Sequence, residues 1–519
     1  MPGAPAAMLL VLVTGVALAA GQAPPLSPIR TSADGSIHFF DAHGRVRIFH
    51  GAARVQKGPP WYFADLGLPG SKNDTEAAAM ESLGFNVLRL GFMWSGYNPA
   101  PGVFNQTYIE VVKHQVAQLN ARGVYVLLDM HQDIISSAFC LYDGAPRWVI
   151  DKSIADLPAA HGYPAPLEAP APKDNNCILS GSPHSPCNCS RDATSWSENA
   201  LTYGACNAYQ SIYDNRHGML DDMATFWARA AVEFKDTPGI IGYELMNEPF
   251  AGDIFSKPEL VLPGVAGKQN LQKMHDAVAE KIREVDQQHI IFFEPVTWGM
   301  IGAGKVTGSG FEHVPGGDAW KNASAYAYHY YCMSWLPGWE TQPIQRKLLC
   351  DAAIAPAVFE AVGEDIRRIG GAQMMTEGMA CNQDNMTQQE ECIKVQEDLD
   401  KHLFSWTDYG DSQGSLWDVH PLQQKVWART YARAIAGTPL NMTFDVETAA
   451  FEFCFTMDRQ IQAPTEIFAS NVYHYGAAGP KVTHSKNLQV SKGQTEGLYL
   501  AEPVAEGAPG IGCVHMAKH

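Results

Sequence analysis

The chain has 519 residues, of which 46% are hydrophobic and 18% charged, as in an ordinary globular protein with a large core. This length exceeds that of one small domain and fits a barrel with one appended module. The net charge of −18 argues against nucleic acid as a partner and against adhesion to anionic membranes by charge, but it does not exclude lipid binding through apolar surface.

The beginning of the chain predicts an export signal. Met8 to Ala20 is a run of apolar and small residues that ends in Ala17-Leu-Ala19, an Ala-x-Ala cleavage pattern. The run is too short to favour a membrane span, and no later stretch of the sequence reaches about 18 uninterrupted apolar residues. We therefore assign residues 1–20 to a signal peptide and expect a secreted or endolysosomal protein.

Cysteines and glycosylation sequons agree with export. Six Asn-x-Ser/Thr sequons mark surface positions that can carry glycans, and eleven cysteines are expected to form disulfides with one thiol left over. Spacing alone does not fix connectivity, but the plausible pairs are Cys332 with Cys350, Cys381 with Cys392, and Cys454 with Cys513. Cys187 and Cys189 have no second Cys/His pair at zinc spacing, so we predict disulfides there, and neither a metal ion nor a cofactor.

From residue 46 onward, short apolar runs alternate with amphipathic stretches, which is typical of βα units. The predicted strands are 46–50, 86–92, 124–130, 240–246, 290–295, 324–331, 372–377 and an eighth beginning near 405. The predicted helices are 75–83, 108–122, 220–234, 271–285, 354–369, 396–404 and 424–436.

Three stretches interrupt this alternation. Residues 139–207 are rich in Pro, Cys, Ser and Asn, and their cysteines favour an ordered, disulfide-stapled insertion over the active-site face. Residues 253–270 and 332–349 are predicted to be rim loops. Trp196 in the insertion, and Trp335 and Trp339 in the last loop, could stack on a sugar or touch an acyl chain, but they could equally be packed core residues.

Two strands deliver a glutamate at their carboxyl ends. The run Ile240 to Met246 stops at Asn247-Glu248-Pro249, because proline cannot donate to a sheet ladder, and Ala372-Gln-Met-Met-Thr-Glu377 ends in the same way. Catalytic groups of barrel enzymes lie at this edge of the sheet. The alternative is that Glu248 caps a helix or ends a loop.

A pair of carboxyl groups is what hydrolysis of a glycosidic bond requires. One must be protonated to release the leaving oxygen, and the other must be ionised to attack the anomeric carbon. We assign Glu248 as the acid/base and Glu377 as the nucleophile. Asn247 is expected to form a hydrogen bond with the 2-hydroxyl of the sugar. Glu294 is a third carboxylate near a strand end, which we rank below these two.

At these residues the chain resembles glycoside hydrolase family 5, a group of retaining (β/α)8 barrel enzymes. Five further motifs resemble its endoglycoceramidase branch, which cuts between glycan and ceramide in glycosphingolipids. They are Lys57-Gly-Pro-Pro60, Arg89-Leu-Gly-Phe-Met-Trp94, Asp129-Met-His-Gln-Asp133, Tyr209-Gln-Ser-Ile-Tyr-Asp-Asn215 and Ala434-Ile-Ala-Gly-Thr-Pro-Leu440.

The resemblance implies roles for further residues. Arg89 would pair with Glu377 and keep it ionised, although a structural core ion pair is the competing interpretation. Lys57, His131 and Asp133 would contact the sugar. The alternatives are that Lys57 is a solvated surface lysine and that His131 is a core histidine bonded to the backbone. His329 and Tyr331 would point into the barrel, and the Tyr331 hydroxyl would hydrogen-bond the nucleophile. Trp406 would form the floor of the first sugar subsite, with Trp417 as the second choice.

The pattern changes after Gly437-Thr-Pro439. Short β runs follow at 441–445, 450–456, 465–469 and 498–501, and they predict a small antiparallel β-sandwich over residues 438–519 after a catalytic barrel over 21–437. The sandwich offers no carboxylate pair that we would assign to catalysis.

The predicted protein is a monomeric retaining β-glycosidase whose partner is a glycosphingolipid, with transient contact to a membrane or micelle surface. The main rival is an endo-β-glucanase or mannanase of the same family, which would need a long open sugar cleft. A catalytically inactive glycolipid-binding protein is disfavoured because both glutamates are present.

Overall fold

The computed structural model describes residues 26–71, 73–136, 143–154, 200–201, 203–296, 308–331, 346–379, 386–409, 415–416, 419, 421–504 and 510–519. The predicted signal peptide, most of the 139–207 insertion, and Trp196, Trp335, Trp339 and Trp417 lie outside these residues. Within the described residues, no helix has both the length and the apolar character needed to cross a bilayer.

The centre of the fold is a closed barrel of eight parallel strands, as the resemblance implied. Two short strands precede it, β1 (Phe39–Phe40) and β2 (Val46–Arg47). The barrel strands follow as β3 (His50–Arg54), β4 (Val87–Gly91), β5 (Tyr125–Asp129), β6 (Ile240–Glu244), β7 (Ile290–Phe293), β8 (Ser324–Tyr330), β9 (Ala372–Gly378) and β10 (Ser405–Asp408). Each pairs in parallel with the next, and β10 closes the barrel on β3.

Both faces of these strands are buried, which explains their continuous apolar runs. The lower part of the interior is filled by side chains from successive strands, including Phe49, Tyr125, Ile241 and Phe292. Gly242 lies where β6 approaches β7 most closely, since a Cβ at this position would be 2.1 Å from the carbonyl oxygen of Ile290. The backbone before the Asn-Glu-Pro motif is therefore fixed by close packing.

Amphipathic helices surround the barrel. The α-helices are Thr75–Leu83, Trp94–Tyr97, Gln106–Ala121, Arg147–Ile154, Tyr203–Tyr213, Met219–Phe234, Gln272–Arg283, Ala355–Ile369, Met386–His402 and Pro421–Trp427. Short 3₁₀ turns cover Arg216–Gly218, Pro258–Val261 and Asp318–Ala323, and π-helical turns cover Gly267–Leu271, Arg346–Ile354 and Asn471–Tyr475. The helices Arg147–Ile154 and Tyr203–Tyr213 show that both ends of the predicted insertion are helical.

The prediction that residues 46–50 form the first barrel strand was wrong. Val46 and Arg47 instead pair with Ile435 and Ala434, which follow the barrel in the sequence, and the barrel strand begins at His50. Its segment Gly51-Ala-Ala53 has weak strand propensity, but the lack of bulk suits it to this position, because a Cβ on Gly51 would be 1.9 Å from the carbonyl oxygen of Val87.

The C-terminal region consists of two antiparallel sheets, as predicted. Its strands are β11 (Tyr431–Ile435), β12 (Gly437–Phe444), β13 (Phe451–Met457), β14 (Thr465–Phe468), β15 (Lys481–His484), β16 (Leu488–Lys492), β17 (Leu498–Pro503) and β18 (Ile511–Ala517). One sheet has the order β1-β2-β11-β14-β17-β16, and the other has the order β12-β13-β18-β15.

The predicted helix over 424–436 was also wrong in its second half. The helix ends at Trp427, and Tyr431-Ala-Arg-Ala-Ile435 forms the central strand β11. Its alanines favour a helix locally, but pairing with β2 and β14 overrides that preference. The sheet therefore begins before residue 438 and includes strands that precede the barrel.

Four of the cysteines that the structure describes form disulfides. Cys454 and Cys513 form the predicted disulfide between β13 and β18. Cys350 and Cys392 are also disulfide-bonded, whereas Cys332 and Cys381, their predicted partners, lie outside the described residues. Cys206 is a free and buried thiol.

Candidate active site

Glu248 is held at the barrel mouth by its own backbone. It follows β6 with φ +39°, a left-handed conformation that is uncommon for a side chain of this type. Its N–H donates to Oε2 of Glu294 at 3.1 Å, and Nε2 of Gln132 donates to the carbonyl oxygens of Asn247 and Glu248 at 2.5 and 3.0 Å. These bonds fix the turn, so the Glu248 carboxyl has a defined direction.

Glu377 is held by two donors. It lies near the end of β9, where Arg89 Nη1 donates to Oε2 at 2.9 Å and the Tyr331 hydroxyl donates to Oε1 at 2.8 Å. The resemblance implied these two contacts of Arg89 and Tyr331 with Glu377. The side chain is 6% exposed.

The two glutamates face each other across the mouth, and His329 lies between them. One oxygen of each carboxyl and a ring nitrogen of His329 all lie within 4.8 Å of one another. His329 Nδ1 is 2.9 Å from Oε1 of Glu248 and 3.9 Å from Oε1 of Glu377. Burial lowers the pKa of His329 to about 4, so the ring is neutral at pH 7. Depending on the tautomer, Nδ1 can donate a hydrogen bond to the Glu248 carboxylate or accept one from the protonated carboxyl.

Arg89 connects the strands beneath the site. Its side chain is fully buried, and besides Glu377 it donates from Nε to Glu244 at 2.6 Å and from Nη2 to Asn247 Oδ1 at 2.7 Å. Asp129 lies 3.1 Å from Nη2. A buried guanidinium is stable only with such partners. Arg89 thus serves both the core ion pair and the nucleophile, which were considered as alternatives.

Asn247 is positioned from both ends of its amide. Oδ1 accepts from Arg89, and Nδ2 donates to the carbonyl oxygen of Gln132 at 3.0 Å. One N–H of the amide remains for another acceptor, such as the sugar hydroxyl expected there.

Glu248 has the ionisation expected of an acid at neutral pH. Burial raises its pKa to about 7, and the negative charge of Asp133 adds to this effect, while His131 and Arg89 oppose it. Glu294 is fully buried beside it, and burial, with the nearby carboxylate of Glu244, raises the pKa of Glu294 well above its usual range. This shift favours the neutral carboxyl of Glu294, which can donate a hydrogen bond as well as accept one.

A second cluster flanks the glutamates. Lys57 pairs with Asp133, and Lys57 Nζ lies 5.5 Å from the centre of the Tyr409 ring. His131 lies between Asp129, at 2.8 Å, and Asp133, at 3.6 Å. Burial disfavours charge on Lys57 and His131, but these carboxylates raise the pKa of both above their usual values. The carboxylates therefore favour the cationic form of both groups.

The structure thus brings together Lys57, His131 and Asp133, the three residues for which the resemblance implied contact with the sugar. Asp143 completes the cluster by accepting from the backbone N–H of Asp133 at 3.1 Å. Burial raises the pKa of Asp143 to about 6. Lys57 is the most accessible of the three predicted residues, with 17% of its side chain exposed.

Trp406 does not lie in the site. Its ring is fully buried and stacks on His50 at 4.5 Å between centroids, with Phe85 at 6.1 Å. It belongs to the packing outside the barrel strands, so the prediction that it forms a sugar-subsite floor was wrong. Ser405 and Thr407 have the opposite orientation on β10, because strand side chains alternate.

Sequence reasoning missed several members of the site. Glu244 and Asp129 end strands β6 and β5, and each contacts Arg89. Tyr409 follows β10 and stacks on His131 at 6.0 Å. A rule that buried Arg89 needs several carboxylate partners would have pointed to Glu244 and Asp129, whereas Tyr409 gave no separate signal.

Comparison with known proteins places this site in a family. The family model "Cellulase (glycosyl hydrolase family 5)" matches residues 60–412, and the model of the glycoside hydrolase family 5 C-terminal domain matches residues 429–510. The chain is 34% identical to an endoglycoceramidase of Cyanea nozakii over 463 residues, which cover 85% of this chain and 84% of the relative. It is 33% identical to an endoglycoceramidase of Hydra vulgaris over 475 residues, covering 89% and 84%.

A solved structure has the same fold. Endo-glycoceramidase II from a Rhodococcus species, in complex with ganglioside GM3, superimposes with a TM-score of 0.71 at 20% identity, covering 93% of this chain and 99% of that one. The matched family model covers more than half of the chain. The chain belongs to glycoside hydrolase family 5 and is a glycosidase.

Proposed function

We propose that the protein is a retaining β-glycosidase that cleaves the bond between glycan and ceramide in glycosphingolipids. The observation that carries the retaining mechanism is the proximity of the two glutamates, whose nearest described oxygens lie within 4.8 Å of each other and of His329. Carboxyl groups about 5–5.5 Å apart belong to retaining enzymes, whereas inverting enzymes need about 6.5–9.5 Å to admit water.

In the first step, Glu377 attacks the anomeric carbon while Glu248 gives its proton to the leaving oxygen of ceramide. This forms a covalent glycosyl-enzyme and releases the lipid alcohol. In the second step, Glu248, now ionised, takes a proton from water, and the resulting oxygen nucleophile displaces Glu377 from the sugar. The hydrogen bonds from Arg89 and Tyr331 orient Glu377 for attack.

The substrate class comes from the relatives. Two relatives at 33–34% identity are named endoglycoceramidases, and the superimposed Rhodococcus enzyme was solved with a ganglioside. The cluster of Lys57, His131 and Asp133 supplies charged donors and acceptors beside the glutamates, which suits binding of sugar hydroxyls. We also propose secretion or endolysosomal delivery, on the basis of the apolar leader, and transient contact with the membrane that carries the substrate.

The test is a substrate panel with mass analysis of the products. We expect the purified protein to release intact lactose from lactosylceramide and intact glycans from gangliosides, and to leave carboxymethyl cellulose uncut. Glu377→Gln is the matched control for contaminating activity. Cleavage of carboxymethyl cellulose with no action on any glycolipid would instead identify a polysaccharide hydrolase.

A further inference from the structure

A cavity lies at the opposite end of the barrel from the glutamates. It has a volume of about 440 Å³ and lies between the amino-terminal ends of the barrel strands and the sheet that contains β2, β11 and β14. Its lining includes the start of β5 at Tyr125, and Arg45, Arg47, Arg433 and Glu466 from the sheet side. Its size is within the range of small-molecule sites.

Three arginines in this cavity share two carboxylates. Arg45 donates to Asp41 at 2.9 Å and to Glu466 Oε1 at 2.8 Å, and Arg433 donates to Glu466 Oε2 at 2.8 Å. The inner group of five residues therefore has one positive charge in excess. Arg45 also donates to a backbone carbonyl, so both Arg45 and Arg433 have good acceptors.

Arg47 is the least well paired of these three arginines. Its side chain is 9% exposed, and within the described residues it donates no hydrogen bond; Nε is both buried and unpaired. The nearest carboxylate oxygen, Asp41 Oδ2, is 3.7 Å from Nη1 and already accepts from Arg45. The guanidinium lies 5.7 Å from the centre of the Tyr125 ring, which orients it but accepts no hydrogen bond at that distance.

A buried guanidinium whose only carboxylate partner among the described residues is 3.7 Å away, and whose Nε has no acceptor there, is costly unless a further acceptor enters the cavity. We propose that this cavity is a binding site for an oxyanion, bound in a bidentate manner by Arg47. Phosphate and carboxylate groups match the planar fork of arginine. Apolar side chains, among them Phe85, Phe468, Leu498 and Leu500, line one part of the cavity, beside polar residues that include Glu81, Arg122 and Glu496. We therefore expect the oxyanion to belong to a small molecule with an apolar body.

Calorimetric titration of the full-length protein tests this without any variant. Hexyl phosphate is expected to bind saturably, inorganic phosphate more weakly, and hexanol not at all, because the charge supplies the specificity and the chain adds apolar contact. Sedimentation with phosphatidylcholine vesicles, with and without phosphatidic acid, separates the two sources of such an anion. If the protein binds vesicles only when they contain phosphatidic acid, and hexyl phosphate abolishes this binding, the natural ligand is a lipid headgroup. If the protein binds hexyl phosphate but no vesicles, the natural ligand is a soluble molecule.

The matched variants are Arg47→Met and Arg122→Gln. Arg47→Met keeps the length and apolar stem of the side chain and should weaken hexyl phosphate binding about tenfold or more. Arg122 lines the same cavity but already pairs with Asp74 and Glu81, so Arg122→Gln should change binding less than about threefold. Both variants should hydrolyse an aryl β-lactoside as the parent does. No saturable binding by the parent protein, or equal binding by folded Arg47→Met, would overturn the proposal.

Discussion

The backbone N–H of Glu248 donates to the carboxyl of Glu294 at 3.1 Å, and the same oxygen of Glu294 lies 3.4 Å from Nε2 of His329. Glu294 thus supports the proposed acid/base in two ways. It holds the left-handed turn, and it faces the far side of the imidazole that contacts the Glu248 carboxyl. Because burial favours the neutral form of Glu294, we expect its role to depend on hydrogen bonding and not on charge.

Substitution of Glu294 should therefore separate charge from geometry. Glu294→Gln keeps an acceptor for the Glu248 N–H and should retain kcat within about threefold. Glu294→Ala removes it and should lower kcat about ten- to a hundredfold with little change in KM. Steady-state kinetics on an aryl β-lactoside, with circular dichroism as the folding control, measures both. Equal inactivation by the two variants would mean that an ionised carboxylate is required.

The pH dependence of kcat/KM should have an alkaline limb near pH 7. The proposed acid must be protonated in the free enzyme, and burial raises the pKa of Glu248 to about 7, so activity is present below that pH and is lost as pH rises through it. Glu248→Gln should abolish this limb for a substrate whose leaving group needs no proton. A limb that stays in place in Glu248→Gln would assign it to another group.

The two glutamates should fail in different ways. Glu377→Gln should remove turnover of all substrates, because no covalent intermediate can form. Glu248→Gln should abolish glycolipid cleavage but retain formation of the intermediate from a dinitrophenyl glycoside, whose leaving group is already acidic. Intact-mass analysis after treatment with a 2-fluoro glycoside should show a labelled parent protein and an unlabelled Glu377→Gln. Label on a residue other than Glu377 would disprove the nucleophile assignment.

Arg89 should be as important for stability as for activity. Arg89→Met leaves Glu244, Glu377 and Asp129 without their shared cation, and it should lower the free energy of unfolding by about 3–5 kcal/mol in urea denaturation. Arg122→Met is the control, since Arg122 pairs with two carboxylates at the surface and should change stability by about 0–1 kcal/mol. If both variants lose a similar amount of unfolding free energy, the burial of Arg89 does not make its ion pairs more important for stability than those of Arg122.

Trp406 should matter for folding and not for substrate binding. Its ring fills a buried position against His50 and Phe85, so Trp406→Ala should destabilise the protein by about 3–5 kcal/mol. The folded fraction should keep the KM of the parent for an aryl β-lactoside at low temperature. A raised KM with unchanged stability would restore the sugar-subsite role that the sequence predicted.

The contrast between Glu377 and Trp406 shows what the sequence could predict. The carboxyl ends of parallel strands all lie at the same edge of a barrel. Because Glu248 and Glu377 each follow or end such a strand, the sequence could predict that they lie close together. Trp406 lies within a four-residue strand, where a shift of one position reverses the side of the sheet, and nothing in the local sequence defines that register. The supporting contacts of Glu294 could not be predicted either, because they depend on the backbone turn at Glu248 and on a neighbouring strand.

The same limit applied to the first barrel strand and to β11. Residues 46–50 and 431–435 both have local patterns that admit another structure, and their partners lie at distant positions in the sequence. Long, strongly periodic elements such as the helix Met219–Phe234 were predicted within one residue, because their own side chains define the buried face.

The pairing of β2 with β11 also bears on how the molecule is made. During synthesis, Val46 and Arg47 leave the ribosome long before Tyr431–Ile435 exists, so this ladder closes only after the intervening barrel has been translated. The C-terminal sheets therefore do not form a domain that is independent of the residues before the barrel. Expression of the barrel alone would leave an early strand with an unpaired edge, which is a site for aggregation.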